Sequence, residues 1–292
     1  MAVLQPDPAL VSLPGGPWRV AGASVRGTSH EKRSQPCQDA HGWLRLPGGG
    51  LAIAVADGAG SAKLSERGST RAVEAALQAA YDAAERGLSG ETGMTPHAWD
   101  VLIRLIFTQA RNAVVMRAHS ERHFVRNYAT TLTVALVAGG WLAAGQIGDG
   151  AVVALDEQDA MFSATRLQKG EYANETHFLT QRDAVKRVQV YSARQDVKAL
   201  AVMSDGLVRL ALALPSGDPH APFFKPLFGF IASVQDEAQA SVKLESFLAS
   251  ERVCARTDDD KSLVLACYRN TGAIAYPAPG SGEGQAAGGG SP

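Results

Sequence analysis

The feature that most constrains the fold of this chain is a set of Asp-Gly pairs at the ends of short apolar runs. Asp57-Gly58 follows LAIAVA, Asp149-Gly150 follows WLAAGQIG, and Asp205-Gly206 follows ALAVMS. A fourth acidic group, Asp258–Asp260, stands just before KSLVLACY. Carboxylates at strand ends are held rigidly and can converge, and converged carboxylates suit Mg²⁺ or Mn²⁺. The pattern therefore indicates divalent-metal chemistry without a Cys/His ligand pair.

A simpler interpretation exists for each pair alone. Asp-Gly is a favoured hairpin dipeptide, because both residues tolerate positive φ. Three pairs, each placed directly after an apolar run, favour the metal site over three unrelated turns. The glycines would let the backbone approach closely, and the Gly58 carbonyl could itself be a ligand.

The composition excludes several classes of function. A net charge of −1 over 292 residues argues against a broad nucleic-acid footprint, and the 46% apolar content is enough for a large core. No apolar run reaches the roughly 20 residues that span a bilayer, and the N-terminus lacks the pattern of a secretory signal. The three cysteines are far apart and match no metal spacing. We therefore expect a cytoplasmic protein without membrane or nucleic-acid partners.

The order of elements predicts an α+β fold. Residues 1–17 are expected to be a flexible arm, 18–270 one domain, and 271–292 a disordered Gly/Ser/Pro tail. Hydrophobic patterns predict three helices, within residues 65–87, from Pro96 to Glu121, and near 234–250. Predicted strands are 18–26, 41–46, 51–56, 199–204 and 262–268, with three consecutive antiparallel strands from 130 to 156. Because strands and helices do not alternate regularly, a parallel Rossmann-type sheet is disfavoured.

Six motifs in this order resemble the metal-dependent protein phosphatases of type 2C, in the bacterial branch. They are CQDA (37–40), AVADGAGS (54–61), ATTLTVALV (129–137), GQIGDG (145–150), VMSDGL (202–207) and DDKSLVL (259–265). The resemblance extends over about residues 20–268. It implies a central sandwich of two antiparallel β-sheets flanked by helices, a four-layer αββα arrangement.

The resemblance also implies an activity, namely hydrolysis of phosphoserine and phosphothreonine on proteins by a metal-activated water. Two Mn²⁺ or Mg²⁺ ions roughly 4 Å apart would activate that water and neutralise the phosphoryl oxygens. The resemblance implies a third, weaker ion site at Asp149. Asp57, Asp205 and Asp259 would be the catalytic ligands, with Asp57 bridging the ions. The implied metal set is Asp39, Asp57, Gly58, Asp149, Asp205 and Asp259. A phosphoprotein substrate and a cognate Ser/Thr kinase are the implied partners.

This chain departs from the family pattern at two positions. Many eukaryotic members carry a His after the Asp-Gly pair, where this chain has Ala59, so a metal-bound water or solvent would protonate the leaving group. The acid that usually precedes Asp39 is Gln38, which shifts the first motif's acidic role to Asp39. Phosphate capture is assigned to Arg33 and His30, because Arg can grip phosphate with two parallel hydrogen bonds and both lie just upstream of that motif.

Two other interpretations stay open at this stage. Ala59 and Gln38 are also compatible with a catalytically weak, phosphatase-like module that binds a kinase or phosphoprotein. A structural ion site is the second, although such sites more often gather their ligands in one loop. Residues 170–180 occupy the place of the family's variable flap, and the sequence assigns them no definite role.

Overall fold

Two five-stranded antiparallel sheets face each other in the computed structural model, which describes residues 16–88, 94–166 and 176–269. Sheet A has the spatial order β1 (Trp18–Val25), β12 (Lys261–Tyr268), β9 (Val197–Met203), β6 (Ala151–Asp156) and β7 (Met161–Ser163). Sheet B has the order β2 (Ala40–Arg45), β3 (Leu51–Ala56), β4 (Leu132–Ala138), β5 (Trp141–Ile147) and β8 (Gln189–Arg194). A two-stranded ribbon, β10 (Leu212–Ala213) with β11 (Asp218–Pro219), lies apart.

The side chains of β3 show why the central strands are apolar throughout. Leu51, Ile53 and Val55 point into the layer between the two sheets. The alternate residues, Ala52 and Ala54 among them, point outward into the layer beneath the helices. Because both faces of the strand are covered, every residue of β3 is buried, and a continuous apolar run results.

Helices cover the outer face of each sheet. On sheet B lie α2 (Ser65–Ala83) and α3 (Pro96–Ser120), and on sheet A lie α5 (Ala221–Ser233) and α6 (Glu237–Leu248). Three shorter helices are α1 (Thr28–Lys32), α4 (Val208–Ala211) and α7 (Glu251–Cys254). The helix–sheet–sheet–helix order confirms the predicted α+β fold of four layers. None of the helices in the described ranges is long and apolar enough to cross a membrane.

Two elements differ from the sequence prediction. The strand at 151–156 does not continue the hairpin of β4 and β5, because β6 lies in sheet A and pairs with β7 and β9. The helix predicted near 234–250 is preceded by a second one, α5, and α6 starts only after Asp236, whose side chain caps it. Residues 1–15 of the predicted arm, residues 170–175 of the flap segment and the whole predicted tail lie outside the described residues.

Candidate metal centre

Three of the predicted acids converge at one end of the sandwich. Asp57 directly follows β3, and Asp149 lies where the chain passes from β5 to β6. Asp205 comes just after β9, with Ser204 between them. Each offers a carboxylate oxygen, and these oxygens all lie within 4.8 Å of one another. Sheet B thus supplies one ligand, sheet A another, and the crossing between the sheets supplies the third.

Asp39 lies beside this cluster and is held in place by serine. It is only 9% exposed, and its Oδ2 accepts a 2.7 Å hydrogen bond from the Ser204 hydroxyl. The Ser204 oxygen in turn accepts the backbone N–H of Ser262 at 2.9 Å. Since Ser204 precedes Asp205, this contact links the CQDA motif (37–40) to the VMSDGL motif (202–207).

The glycines of the Asp-Gly pairs are required by space and not by turn geometry. Gly58, Gly150 and Gly206 are absent from the glycines with positive φ, so the hairpin interpretation is wrong. A Cβ on Gly206 would lie 2.0 Å from the Asp260 carbonyl oxygen, and a Cβ on Gly58 would lie 2.7 Å from the Ser65 side chain. Only glycine lets these backbones come so close.

The carboxylates of the cluster repel one another, because Asp39 is buried and Asp57, Asp149 and Asp205 are half-buried close together. Burial first, and the neighbouring acids second, raise the pKa of Asp39 to about 7 and that of Asp205 to about 8. The same causes raise the pKa of Asp57 well above its ordinary value, and burial raises the pKa of Asp149. A site that concentrates negative charge in this way gains most from a bound cation.

The donor set fits a hard divalent ion. Asp39 Oδ1, Asp149 Oδ1 and Gln38 Oε1 are buried oxygens with no hydrogen-bond partner among the described residues. Buried polar atoms normally have a partner, so these atoms are available to an ion or its water. All three of these atoms are oxygens, the ligand type that Mg²⁺ and Mn²⁺ prefer.

Asp259 lies at the edge of the cluster. Its side chain is exposed, and its Oδ1 accepts the backbone N–H of Asp260 at 2.9 Å. It is close enough to contribute to the raised pKa of Asp57 and Asp205. Its role as a ligand, like that of the Gly58 carbonyl, stays a prediction.

Asp260 was not singled out from the sequence. It is 1% exposed, and its two oxygens accept the backbone N–H groups of Gly27 and Gln38, each at 2.6 Å. The Nδ1 atom of His30 lies 2.9 Å from Asp260 Oδ1. The only signal in the sequence was the run of three aspartates, and nothing in that run shows which carboxylate turns inward.

The two residues predicted to bind phosphate lie in different surroundings. Arg33 is exposed at the end of α1, so its guanidinium is accessible. His30 is buried, with its ring facing Asp260 and not solvent. Phosphate binding by either residue stays a prediction. Ala59 is buried and places no titratable group beside Asp57.

The described part of the flap segment, residues 176–180, contacts the metal centre. The Thr176 hydroxyl donates a 3.2 Å hydrogen bond to Asp149 Oδ2. This segment therefore reaches the acid that was predicted to hold a third ion.

The sequence matches the family model described as Protein phosphatase 2C over residues 26–249. The chain belongs to the protein phosphatase 2C family. It is 36% identical over 257 residues to Serine/threonine-protein phosphatase 3 of Escherichia coli strain K12, an alignment that covers 86% of this chain and 98% of that protein.

Solved structures agree with the fold at lower identity. The serine/threonine phosphatase Stp1 from Staphylococcus aureus aligns with a TM-score of 0.55 at 13% identity, covering 85% of this chain and 94% of that one. The catalytic domain of the serine/threonine phosphatase PstP, in complex with two manganese ions, aligns with a TM-score of 0.53 at 18% identity. That alignment covers 86% of this chain and 97% of the PstP domain. Both support the sandwich of antiparallel sheets.

Proposed function

We propose that this protein is a Mn²⁺- or Mg²⁺-dependent phosphatase that hydrolyses phosphoserine and phosphothreonine on proteins. The observation that carries the proposal is the convergence of Asp57, Asp149 and Asp205, whose oxygens lie within 4.8 Å of one another. Membership of the protein phosphatase 2C family and the 36% identical serine/threonine phosphatase support the same activity.

The carboxylates would bind and position the ions. Asp57 is at the centre of the set, since Asp39, Asp205 and Asp259 all act on its pKa. Asp205 and Asp259 would complete the ligand set of one ion, and the Gly58 carbonyl would be a further ligand beside Asp57. Asp149 would hold an ion at a third site. Asp39, restrained by Ser204, would contribute directly or through water.

Bound divalent ions supply Lewis-acid charge that offsets the phosphate's negative charge and makes water a better nucleophile. The chain's own part is to hold its acidic oxygens at fixed positions before substrate arrives. With Ala59 buried beside Asp57, no imidazole stands there to protonate the leaving oxygen, and solvent is the proposed proton source. Arg33, exposed near this end, is the proposed grip on the substrate phosphate.

The proposal extends to the setting of the enzyme. A phosphoprotein is the substrate, and a Ser/Thr kinase that makes this substrate is the proposed counterpart. We place the protein in the cytoplasm and assign catalysis to one domain, residues 18–270, with an arm before it and a tail after it.

The activity is tested with phosphopeptides and p-nitrophenyl phosphate in Mn²⁺, comparing wild type with Asp57→Asn and Asp205→Asn. Each variant should lose at least about a hundredfold in kcat/KM, because the charge stabilisation by a metal pair is worth several kcal/mol. Asp258→Asn is the matched control, since this exposed acid carries the same charge change close by. Wild-type protein without activity, or Asp57→Asn with full activity, would refute the proposal.

A further inference from the structure

A cavity of about 620 Å³ lies between the loop that follows Asp57 and the segment that follows α3. Residues 61–63, from the loop after Asp57, line one side, and residues 122–124 and 126–127, which follow α3, line the other. None of the metal-centre acids contributes to its wall. The cavity is therefore a separate feature that the catalytic chemistry does not explain.

Backbone hydrogen bonds join the walls of the cavity to the metal centre. Leu64 N–H donates to the Asn127 carbonyl at 2.8 Å, and Ala59 N–H donates to the Ala129 carbonyl at 2.9 Å. Further along the same two segments, Thr131 N–H donates to the Asp57 carbonyl at 2.8 Å. These bonds hold the cavity walls at a fixed position relative to Asp57, because both belong to the same paired segments.

The cavity wall is cationic. Lys63, Arg122 and Arg126 are all exposed, His123 lies among them, and no acidic residue lines the wall. Among the described residues, no ion pair involves Lys63, Arg122 or Arg126. On a chain with a net charge of −1, these three positive charges form a local patch that selects for anionic groups.

Glu121, which precedes Arg122 in the chain, does not neutralise this patch. Glu121 accepts hydrogen bonds from Tyr128 and from the guanidinium groups of Arg67 and Arg117. The Tyr128 hydrogen bond first, and the two arginines with it, lower the pKa of Glu121 to about 2. Its charge is balanced by Arg67 and Arg117, neither of which lines the cavity.

Arg122 occupies a position that normally favours glycine. It follows α3 with φ of 58°, in the left-handed region, where Arg122 N–H bonds to His119 and His123 N–H to Ala118. A non-glycine residue in this conformation costs about 1–2 kcal/mol, and glycine is the usual choice at such a helix end. A strained residue of this kind points to a role for its side chain.

The rim also carries an organised aromatic group. Phe124 is 70% exposed, and the Arg126 guanidinium lies over its ring, 4.9 Å from the centroid. The stacking restricts Arg126 and keeps its outer face open to an anion.

We propose that this basic cavity binds acidic residues that flank the phosphorylated residue of a protein substrate, which makes the enzyme selective for acidic phosphorylation sites. The inference rests on the proposed phosphatase function and names its substrate class. Carboxylate side chains fit three exposed cations arranged around one cavity, and flanking positions of a peptide are the groups that can reach it.

The test measures peptide binding separately from turnover. Two fluorescent peptides carry the same non-hydrolysable phosphonate analogue of phosphoserine and differ only in three flanking residues, Glu in one and Gln in the other. Fluorescence anisotropy with Mn²⁺ present gives Kd for each. We expect wild type to bind the Glu peptide about tenfold more tightly, because each exposed charge pair contributes about two- to threefold.

The variant Lys63→Gln/Arg122→Gly/Arg126→Gln should reduce this Kd ratio to about one. Arg122→Gly should also raise the unfolding temperature, since it relieves the strained backbone, so lost selectivity would not reflect unfolding. Arg252→Gln, at an exposed site on α7, controls for net charge and should keep the wild-type ratio. A wild-type ratio near one, or a ratio unchanged in the triple variant, would overturn the inference. Hydrolysis of p-nitrophenyl phosphate by the same samples tests the phosphatase function independently.

Discussion

At the scale of single residues, the carboxylate of Asp260 ties together the segments that place the first acidic motif. Its oxygens accept the N–H groups of Gly27, after β1, and of Gln38, which is next to Asp39. His30 approaches the same carboxylate from α1. Because Asp39 follows Gln38 directly, we infer that Asp260 positions Asp39 without contacting a metal ion.

Asp260→Asn should therefore destabilise the protein and weaken metal binding. An amide has one acceptor oxygen, so its NH₂ group would face one of the two backbone N–H groups and leave that donor unpaired. An unsatisfied buried donor costs about 1–3 kcal/mol in the free energy of unfolding. Urea denaturation in EDTA measures this loss, and calorimetric titration with Mn²⁺ measures the affinity.

The matched control is Asp258→Asn, which removes the same charge two residues earlier from an exposed side chain. It should change the free energy of unfolding by less than about 0.5 kcal/mol, as surface substitutions usually do. If the two variants had equal effects on stability and on Mn²⁺ affinity, the positioning role of Asp260 would be lost.

At the scale of elements, the contact of α2 with the segment before β4 depends on one glycine. Gly68 lies in the first turns of α2, and a Cβ there would stand 2.2 Å from the Tyr128 carbonyl oxygen. Gly→Ala inside a helix normally stabilises by about 1 kcal/mol. Here we expect the opposite sign, because the added methyl group would push α2 away from the backbone at Tyr128.

Thermal unfolding of Gly68→Ala should thus show a lower unfolding temperature than wild type. Gly60→Ala makes the same chemical change in the loop before α2, where the nearest atom, Gln38 Oε1, would be 3.9 Å from the new carbon. That variant should unfold near the wild-type temperature. A stabilised Gly68→Ala would mean that helix propensity outweighs the close contact.

Elements with strong local patterns were predictable, and elements defined by distant partners were not. β3 and α3 have clear runs or periods, and both lie close to their predicted bounds. α5 was missed because it contains Pro226 and is apolar on most sides, so that its helical period is obscured. Its formation depends on packing Phe224 and Phe228 against sheet A, which the local sequence does not reveal.

The passage from β5 to β6 was predicted as a turn for a similar reason. Gly148-Asp149-Gly150 has the composition of a hairpin, and both strands are apolar throughout, so local signals give no clue to the pairing. In the structure, a Cβ on Gly150 would lie 2.6 Å from Thr133 Oγ1, in sheet B, and 2.8 Å from the Met203 carbonyl, in sheet A. Asp149 reaches the metal centre because the chain changes sheets at this point.

At the scale of the whole molecule, the metal centre opposes folding of the metal-free protein. The raised pKa values, about 7 for Asp39 and about 8 for Asp205, mean that the folded state holds protons that the unfolded chain releases near pH 4. Stability from these groups is therefore present at low pH and is lost as pH rises through 7 and 8. His41, whose burial lowers its pKa to about 4, acts in the opposite direction, but only below about pH 6.5.

Between pH 6.5 and 8 the carboxylates therefore dominate, and thermal unfolding in EDTA should show decreasing stability. The expected loss is on the order of 2 kcal/mol, or about 5 °C in unfolding temperature for a domain of this size. Mn²⁺ should reverse the trend, because it binds the ionised carboxylates of the folded state and competes with their protons.

Asp205→Asn removes the acid with the higher pKa and should flatten the dependence of stability on pH in EDTA. The control Asp258→Asn should leave that dependence as steep as in wild type. A flat wild-type profile would mean that the carboxylates are already ionised at pH 6.5 and that solvent or neighbouring groups stabilise them. In that case the repulsion between buried acids could not be the source of metal affinity. A steep profile that Mn²⁺ abolishes would instead identify the same repulsion as the force that both destabilises the metal-free fold and draws the ions in.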